Sequence, residues 1–246
     1  MTFPYKTADS STRDAFWKDG NFIGGMLIVF VTLITFLMSA AALVLVRAGV
    51  IAPADLSAKD FGLGNTRFVL LQGAVHALST GLPVVLGLLL FRKKLSRTAP
   101  ILPMTAGGTA AALIIGLGGC MGVNFVAVYV ATVLEKLGIP QAEGLQAMDA
   151  TPQSLALNLV VMALLPAVLE ELLFRVCILQ TLRRYGDRLA IVMSAVLFGA
   201  IHGGIAQSIF AFLVGLILGW LVVVTGNPWN AVILHFANNA LSVVLQ

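Results

Sequence analysis

The chain has 246 residues, of which 59% are hydrophobic and 11% charged, and its mean hydropathy is +0.98. A soluble domain carries roughly a quarter charged residues, so the composition excludes an ordinary soluble protein and predicts an all-α, polytopic transmembrane helical bundle. The formal charge of +4 does not indicate a nucleic-acid partner, because the bases cluster at the ends of apolar runs, where the positive-inside bias puts them.

Residues 1–20 hold three acids and three bases without the basic-then-apolar order of a cleaved leader, and are expected to be a polar cytoplasmic tail. Residues 21–150 are expected to supply the N-terminal membrane helices and residues 151–246 the functional core. Apolar runs predict seven spans, at about 22–46, 67–91, 101–134, 154–182, 189–204, 205–224 and 228–245. The third run holds Pro103 and several glycines, so it is expected to tilt or break, with room for an eighth crossing. Glu143 to Gln153 is the most loop-like internal stretch. Thr151-Pro152 and Asn227-Pro228 read as helix starts, with a capping residue followed by proline in the first turn. Gly203-Gly204 ends the fifth run, and the turn it makes is expected to be buried in protein near or within the membrane.

Ten Lys and Arg residues fall in loops on the N-terminal side of the membrane: Lys6, Arg13 and Lys18, then Arg92, Lys93, Lys94 and Arg97, then Arg183, Arg184 and Arg188. Four, Arg47, Lys59, Arg67 and Lys136, fall in the opposite loops. That asymmetry predicts a cytoplasmic N-terminus, with a prokaryotic inner membrane as the expected location. Cys120 and Cys177 lie in apolar runs without a metal-like spacing and read as reduced, packed thiols.

Three segments place polar groups where hydrocarbon disfavours them by several kcal/mol, about 3 on insertion scales. The first is Glu170-Glu171-Leu172-Leu173-Phe174-Arg175. On a helix Glu171 and Arg175 are i, i+4 neighbours in the favoured acid-first order, so they read as a structural ion pair. Glu170 is rotated by about 100°, cannot share that bond equally, and is left as a free carboxylate suited to proton transfer. Pro166, four residues earlier, is expected to bend the helix below it. The second segment, Phe198-Gly199-Ala200-Ile201-His202, puts Phe198 one turn before His202, where its ring can hold the imidazole. The third, His235-Phe236-Ala237-Asn238-Asn239, puts His235 and Asn239 on one face, as two N–H donors aimed at one point, which is what an oxyanion site requires. Asn238 has the poorer angle for a shared target. His76 has no polar companion at helical spacing and reads as a structural histidine. Counting about 1.5 Å of rise per residue, the three motifs reach overlapping depths.

In this order on successive membrane helices, Glu-Glu-x-x-x-Arg, Phe-x-x-x-His and His-x-x-x-Asn resemble the CAAX-protease and bacteriocin-processing superfamily of intramembrane proteases, over about residues 154–245. The resemblance implies that Glu170 and His202 activate the attacking water and that His235 and Asn239 form the oxyanion side, with Glu171, Arg175 and Phe198 in support. It implies a glutamate-dependent, metal-free mechanism. The usual zinc pattern, His-Glu-x-x-His, is absent from the sequence, yet Glu170, His202 and His235 are chemically competent zinc ligands with water in a fourth position, so zinc is the alternative cofactor. The expected substrate is a membrane-associated or lipid-anchored peptide or protein, acted on at the lipid bilayer near its cytoplasmic side. The alternatives are a non-catalytic immunity or scaffold protein of the same fold, and an ion-coupled transporter. Against the transporter, the sequence has no inverted repeat.

Overall fold

The computed structural model describes residues 10–58, 60–90, 105–140 and 151–245. The expectations about Lys6, Lys59, the basic stretch Arg92 to Arg97, Pro103 and the loop before Ala150 lie outside these residues. The described residues form seven helical rods in an all-α arrangement: α1 (Ser10–Arg47), α2 (Asn65–Leu90), α3 (Ala106–Lys136), α4 (Pro152–Tyr185), α5 (Asp187–Ala200), α6 (Ile205–Thr225) and α7 (Pro228–Val244). Five of them, α1, α2, α3, α4 and α6, are long and apolar enough to cross a membrane, and the chain is a multi-pass membrane protein. The seven predicted runs correspond to these seven rods. Two differ in kind, because α5 has 14 residues and α7 has 17, short of the roughly 20 that a full crossing takes.

Helix α1 begins well before the apolar run that predicts it and takes in residues 10–20. The extension has tertiary support. Asp19 is buried, its Oδ2 accepts from Arg184 Nη1 at 2.9 Å and from Tyr185 Oη at 3.1 Å, and Phe16 meets the Tyr185 ring edge-on. The start of α1 and the end of α4 therefore lie at one end of the bundle, as the distribution of bases requires.

Helix α3 runs unbroken through its described length, so the expected break is not found there. Two of its glycines, Gly116 and Gly119, serve contact. A Cβ on Gly116 would come within 2.5 Å of Leu234 on α7, so glycine lets α3 lie directly against the core. The outer sides of α1 and α3 expose Phe36, Leu43, Ile114, Phe125 and Tyr129, which is the surface a lipid-facing helix presents.

Thr151 and Asn227 cap α4 and α7 as the sequence predicts, each side-chain oxygen accepting a backbone N–H of the first turn. Helix α4 is not uniform. Wide π turns at Leu159–Leu164 and Leu172–Leu179 flank the short α segment Leu165–Glu171. Pro166 follows the first π stretch and cannot donate a backbone N–H. The predicted distortion is therefore present, as a widened turn.

Helices α5 and α6 form a tight hairpin. A Cβ on Gly199 would sit 2.8 Å from the Ser208 carbonyl oxygen, and one on Gly215 would sit 3.1 Å from Ala195. Small residues that let backbones approach are the usual basis of helix packing in lipid. The connecting turn is not buried as expected: Gly203 and Gly204 are exposed. Its polar backbone is satisfied locally instead, by Ser208 N donating to the Gly204 carbonyl at 2.9 Å and Ser208 Oγ to the His202 carbonyl at 2.8 Å. The thiols of Cys120 and Cys177 are buried in apolar surroundings.

Candidate active site

The α segment of α4 between its two π turns carries both acids. Glu171 and Arg175 are fully buried, with Arg175 Nε 3.1 Å from Glu171 Oε2. This is the predicted pair, though the N–H is not aligned on the oxygen as a hydrogen bond. A second donor of the guanidinium reaches the Gly215 carbonyl on α6 at 3.4 Å, and its carbon lies 4.5 Å from the Phe198 ring centroid, a cation–π distance. Arg175 thus ties α4 to both arms of the hairpin.

Glu171 does more than the sequence reading assigns to it. Its Oε1 is 2.9 Å from His235 Nδ1 on α7. A carboxylate can only accept, so Nδ1 carries the proton, and this fixes the ring orientation. Nε2 of the same ring then faces Glu170, 3.9 Å from its Oε2. Two acids about 100° apart on one helix are thereby spanned by a single imidazole from another helix.

Glu170 is buried but not sealed: its residue exposure is 7% and its neighbour Glu171 has none. It walls a cavity of about 480 Å³ together with Phe198, His202, His235, Asn238 and Asn239. All the residues expected to act therefore line one space. His202 is not among the carboxylate contacts of Glu170; the space between them is open to a water or a substrate. His202 also lies in the turn after α5 rather than in a helix. Its Nδ1 donates to the Phe198 carbonyl at 2.7 Å, covering a carbonyl at a helix end that would otherwise lack a partner. The expected packing of Phe198 on this ring is present, with centroids 4.7 Å apart, and the same phenyl meets His235 at 5.9 Å and Phe174 at 5.1 Å.

On α7, Asn238 Nδ2 donates to Asn239 Oδ1 at 3.3 Å. The Asn239 amide nitrogen is then the end left to serve the cavity. Asn238, set aside on angle alone, is the buried neighbour that orients Asn239.

The sequence reading missed His76. Its Nε2 lies 3.5 Å from Glu170 Oε1. Asn124 of α3 and Gln207 of α6 also wall the large cavity and were not singled out. Each is a polar side chain inside an apolar run, which is the signal that marks an intramembrane site. What the spacing rules lack is any way to connect residues on different helices.

Among the described residues, no group of three or more His, Cys, Asp or Glu side chains is arranged to hold a metal ion. The alternative ligands Glu170, His202 and His235 share the cavity but do not converge as a coordination set.

Residues 152–241 match the family model described as Type II CAAX prenyl endopeptidase Rce1-like. No curated protein and no solved structure matched the chain. The matched stretch contains Glu170, Phe198, His202, His235 and both asparagines, which wall the cavity, and the buried Glu171–Arg175 pair behind them. The segment running from α4 into α7 is accordingly a domain of the Rce1-like type II CAAX prenyl endopeptidase family.

Proposed function

We propose that the protein is an intramembrane endopeptidase that hydrolyses a peptide bond of a membrane-associated or lipid-anchored substrate, with Glu170 as general base. The observation that carries this reading is the placement of Glu170 on the wall of a cavity shared with two imidazoles and two carboxamides. That set supplies a proton acceptor and several donors at one place, as addition of water to a carbonyl requires.

In this reading a water between Glu170 and His202 attacks the scissile carbonyl. A C–O bond forms as Glu170 takes one water proton, and the carbonyl oxygen becomes an oxyanion facing His235 Nε2 and Asn239. With Nδ1–H committed to Glu171, His235 donates from Nε2 as the imidazolium, its charge balanced by the acid beside it. Collapse of the intermediate breaks the C–N bond, and the proton held by Glu170 passes to the leaving amine. The mechanism needs no metal.

The test is turnover of a quenched, prenylated CAAX peptide by purified protein in lipid nanodiscs. Glu170→Gln preserves shape and removes the base, so turnover falls by roughly 100-fold or more while the protein stays folded. Wild-type turnover by this variant would remove Glu170 from the role. A scaffold protein would instead keep partner binding in the variant, and a transporter would lose pH-dependent flux.

A further inference from the structure

Glu170 stands between two cavities. Besides the large one, a second of about 300 Å³ reaches it, sharing Met162 and Pro166 with the first and with Ile34 and Met38 of α1 and Gln72 and His76 of α2 on its walls. His76 Nε2 is buried without a hydrogen-bond partner among the described residues and lies 3.5 Å from Glu170 Oε1. The other carboxylate oxygen, Oε2, is the one near His235. The two oxygens of Glu170 therefore face different helices and different cavities.

We propose that His76 is a positioning residue for Glu170: it donates Nε2–H to Oε1 and so presents Oε2 alone to the water in the large cavity. The proposal rests on the reading of Glu170 as base. A glutamate side chain has several rotatable bonds, and holding it in one geometry is entropically unfavourable unless a partner fixes it. Glu170 needs a partner from outside its own helix, because the i, i+4 cation of α4 belongs to Glu171.

Packing sets the approach. Gly73 lies one turn before His76, and a Cβ there would come within 2.8 Å of Val161 Cγ1 on the first π stretch of α4. Glycine at that point lets α2 close onto α4 at the depth where His76 meets Glu170. The remaining gap is a charge-range contact, and such bonds commonly tighten when substrate fills a site. The other groups around Glu170 are His235 from α7, His202 across the cavity, and the Glu171–Arg175 pair on its own helix.

The test uses the full chain in nanodiscs and has two readouts. In the prenylated-peptide assay, His76→Phe lowers kcat by on the order of tenfold or more, as misplacement of a reacting group does, and leaves KM little changed. His76→Gln, whose carboxamide still donates, restores most of the activity. The second readout needs no substrate. The chain has three histidines, so each ring can be assigned by nitrogen-15 histidine NMR with single substitutions. Glu170→Ala moves the His76 Nε2–H signal and leaves the His202 Nδ1–H signal in place.

Full kcat in His76→Phe overturns the proposal, as does a His76 signal indifferent to Glu170→Ala. Full turnover by Glu170→Gln overturns it through the base assignment, and the NMR separates the two failures: a moved His76 signal leaves the contact standing and the base wrong, whereas an unmoved one removes the contact itself. If the reporter peptide resists the wild-type protein, the ring signal alone decides.

Discussion

His235 Nδ1 on α7 lies 2.9 Å from Glu171 Oε1 on α4, so the acid that neutralises Arg175 also holds the imidazole that faces Glu170. Neighbouring acids in one helix thereby take different work. Glu171 has no exposure, with Arg175 on one side and His235 on the other, while Glu170 opens onto the cavity.

That division predicts unequal consequences for the same conservative change. Glu171→Gln leaves Arg175 buried without a counter-charge, which costs about 3 kcal/mol or more by comparison with other broken buried pairs. It also frees the His235 ring, so both stability and turnover drop. Glu170→Gln loses turnover alone. Thermal unfolding of the purified variants in one detergent checks this, with Glu171→Gln melting well below Glu170→Gln. Equal melting temperatures would contradict the pairing.

Asn239→Ala removes a donor from the proposed oxyanion side and should cost about 3–4 kcal/mol of transition-state stabilisation, read as a fall in kcat with substrate binding little altered. Asn238→Ala removes the group that holds the Asn239 amide, at 3.3 Å, and should cost less. Steady-state kinetics on both variants provide the comparison. A larger loss at Asn238 would mean that the roles are exchanged.

The hairpin of α5 and α6 should resist side chains at its crossing. The Cβ added by Gly199→Ala meets backbone, the Ser208 carbonyl oxygen at 2.8 Å, and backbone cannot rotate away. Overpacking of this kind costs about 1–3 kcal/mol. Because Phe198 and His202 flank this residue, turnover should fall along with the melting temperature. An unchanged melting temperature would show that the hairpin opens freely.

Activity should survive prolonged chelation, since the proposed reaction uses Glu170, His202, His235 and Asn239 without an ion. Elemental analysis of purified protein combined with chelator treatment tests this. Stoichiometric zinc, with loss on chelation and recovery by zinc alone, would falsify the metal-free reaction.

Much of this arrangement was legible along the chain because its signals are local. Thr151 and Asn227 announce helix starts by capping chemistry, and the Glu171–Arg175 spacing announces a pair. Hydropathy located all seven rods. What the sequence could not convey depends on contacts between helices. His76 looks isolated on α2 and becomes a neighbour of Glu170 only through the packing of α2 on α4. Asp19 looks like part of a polar tail and becomes a buried partner of Arg184 and Tyr185. The second π stretch, Leu172–Leu179, also lies beyond a 3.6-residue period and has no proline to announce it. The turn at Gly203-Gly204 was misjudged for a related reason: Ser208 satisfies its backbone locally, so burial is not needed.

The most direct measurement is mass spectrometry of membrane peptides from cells carrying the wild-type protein, the Glu170→Gln variant or neither, at matched expression. It requires no prior choice of substrate. New peptide termini should appear with the wild-type protein and be absent, or reduced by roughly 100-fold, with Glu170→Gln. Identical termini from both proteins, or none that depend on either, would contradict the proposed hydrolysis.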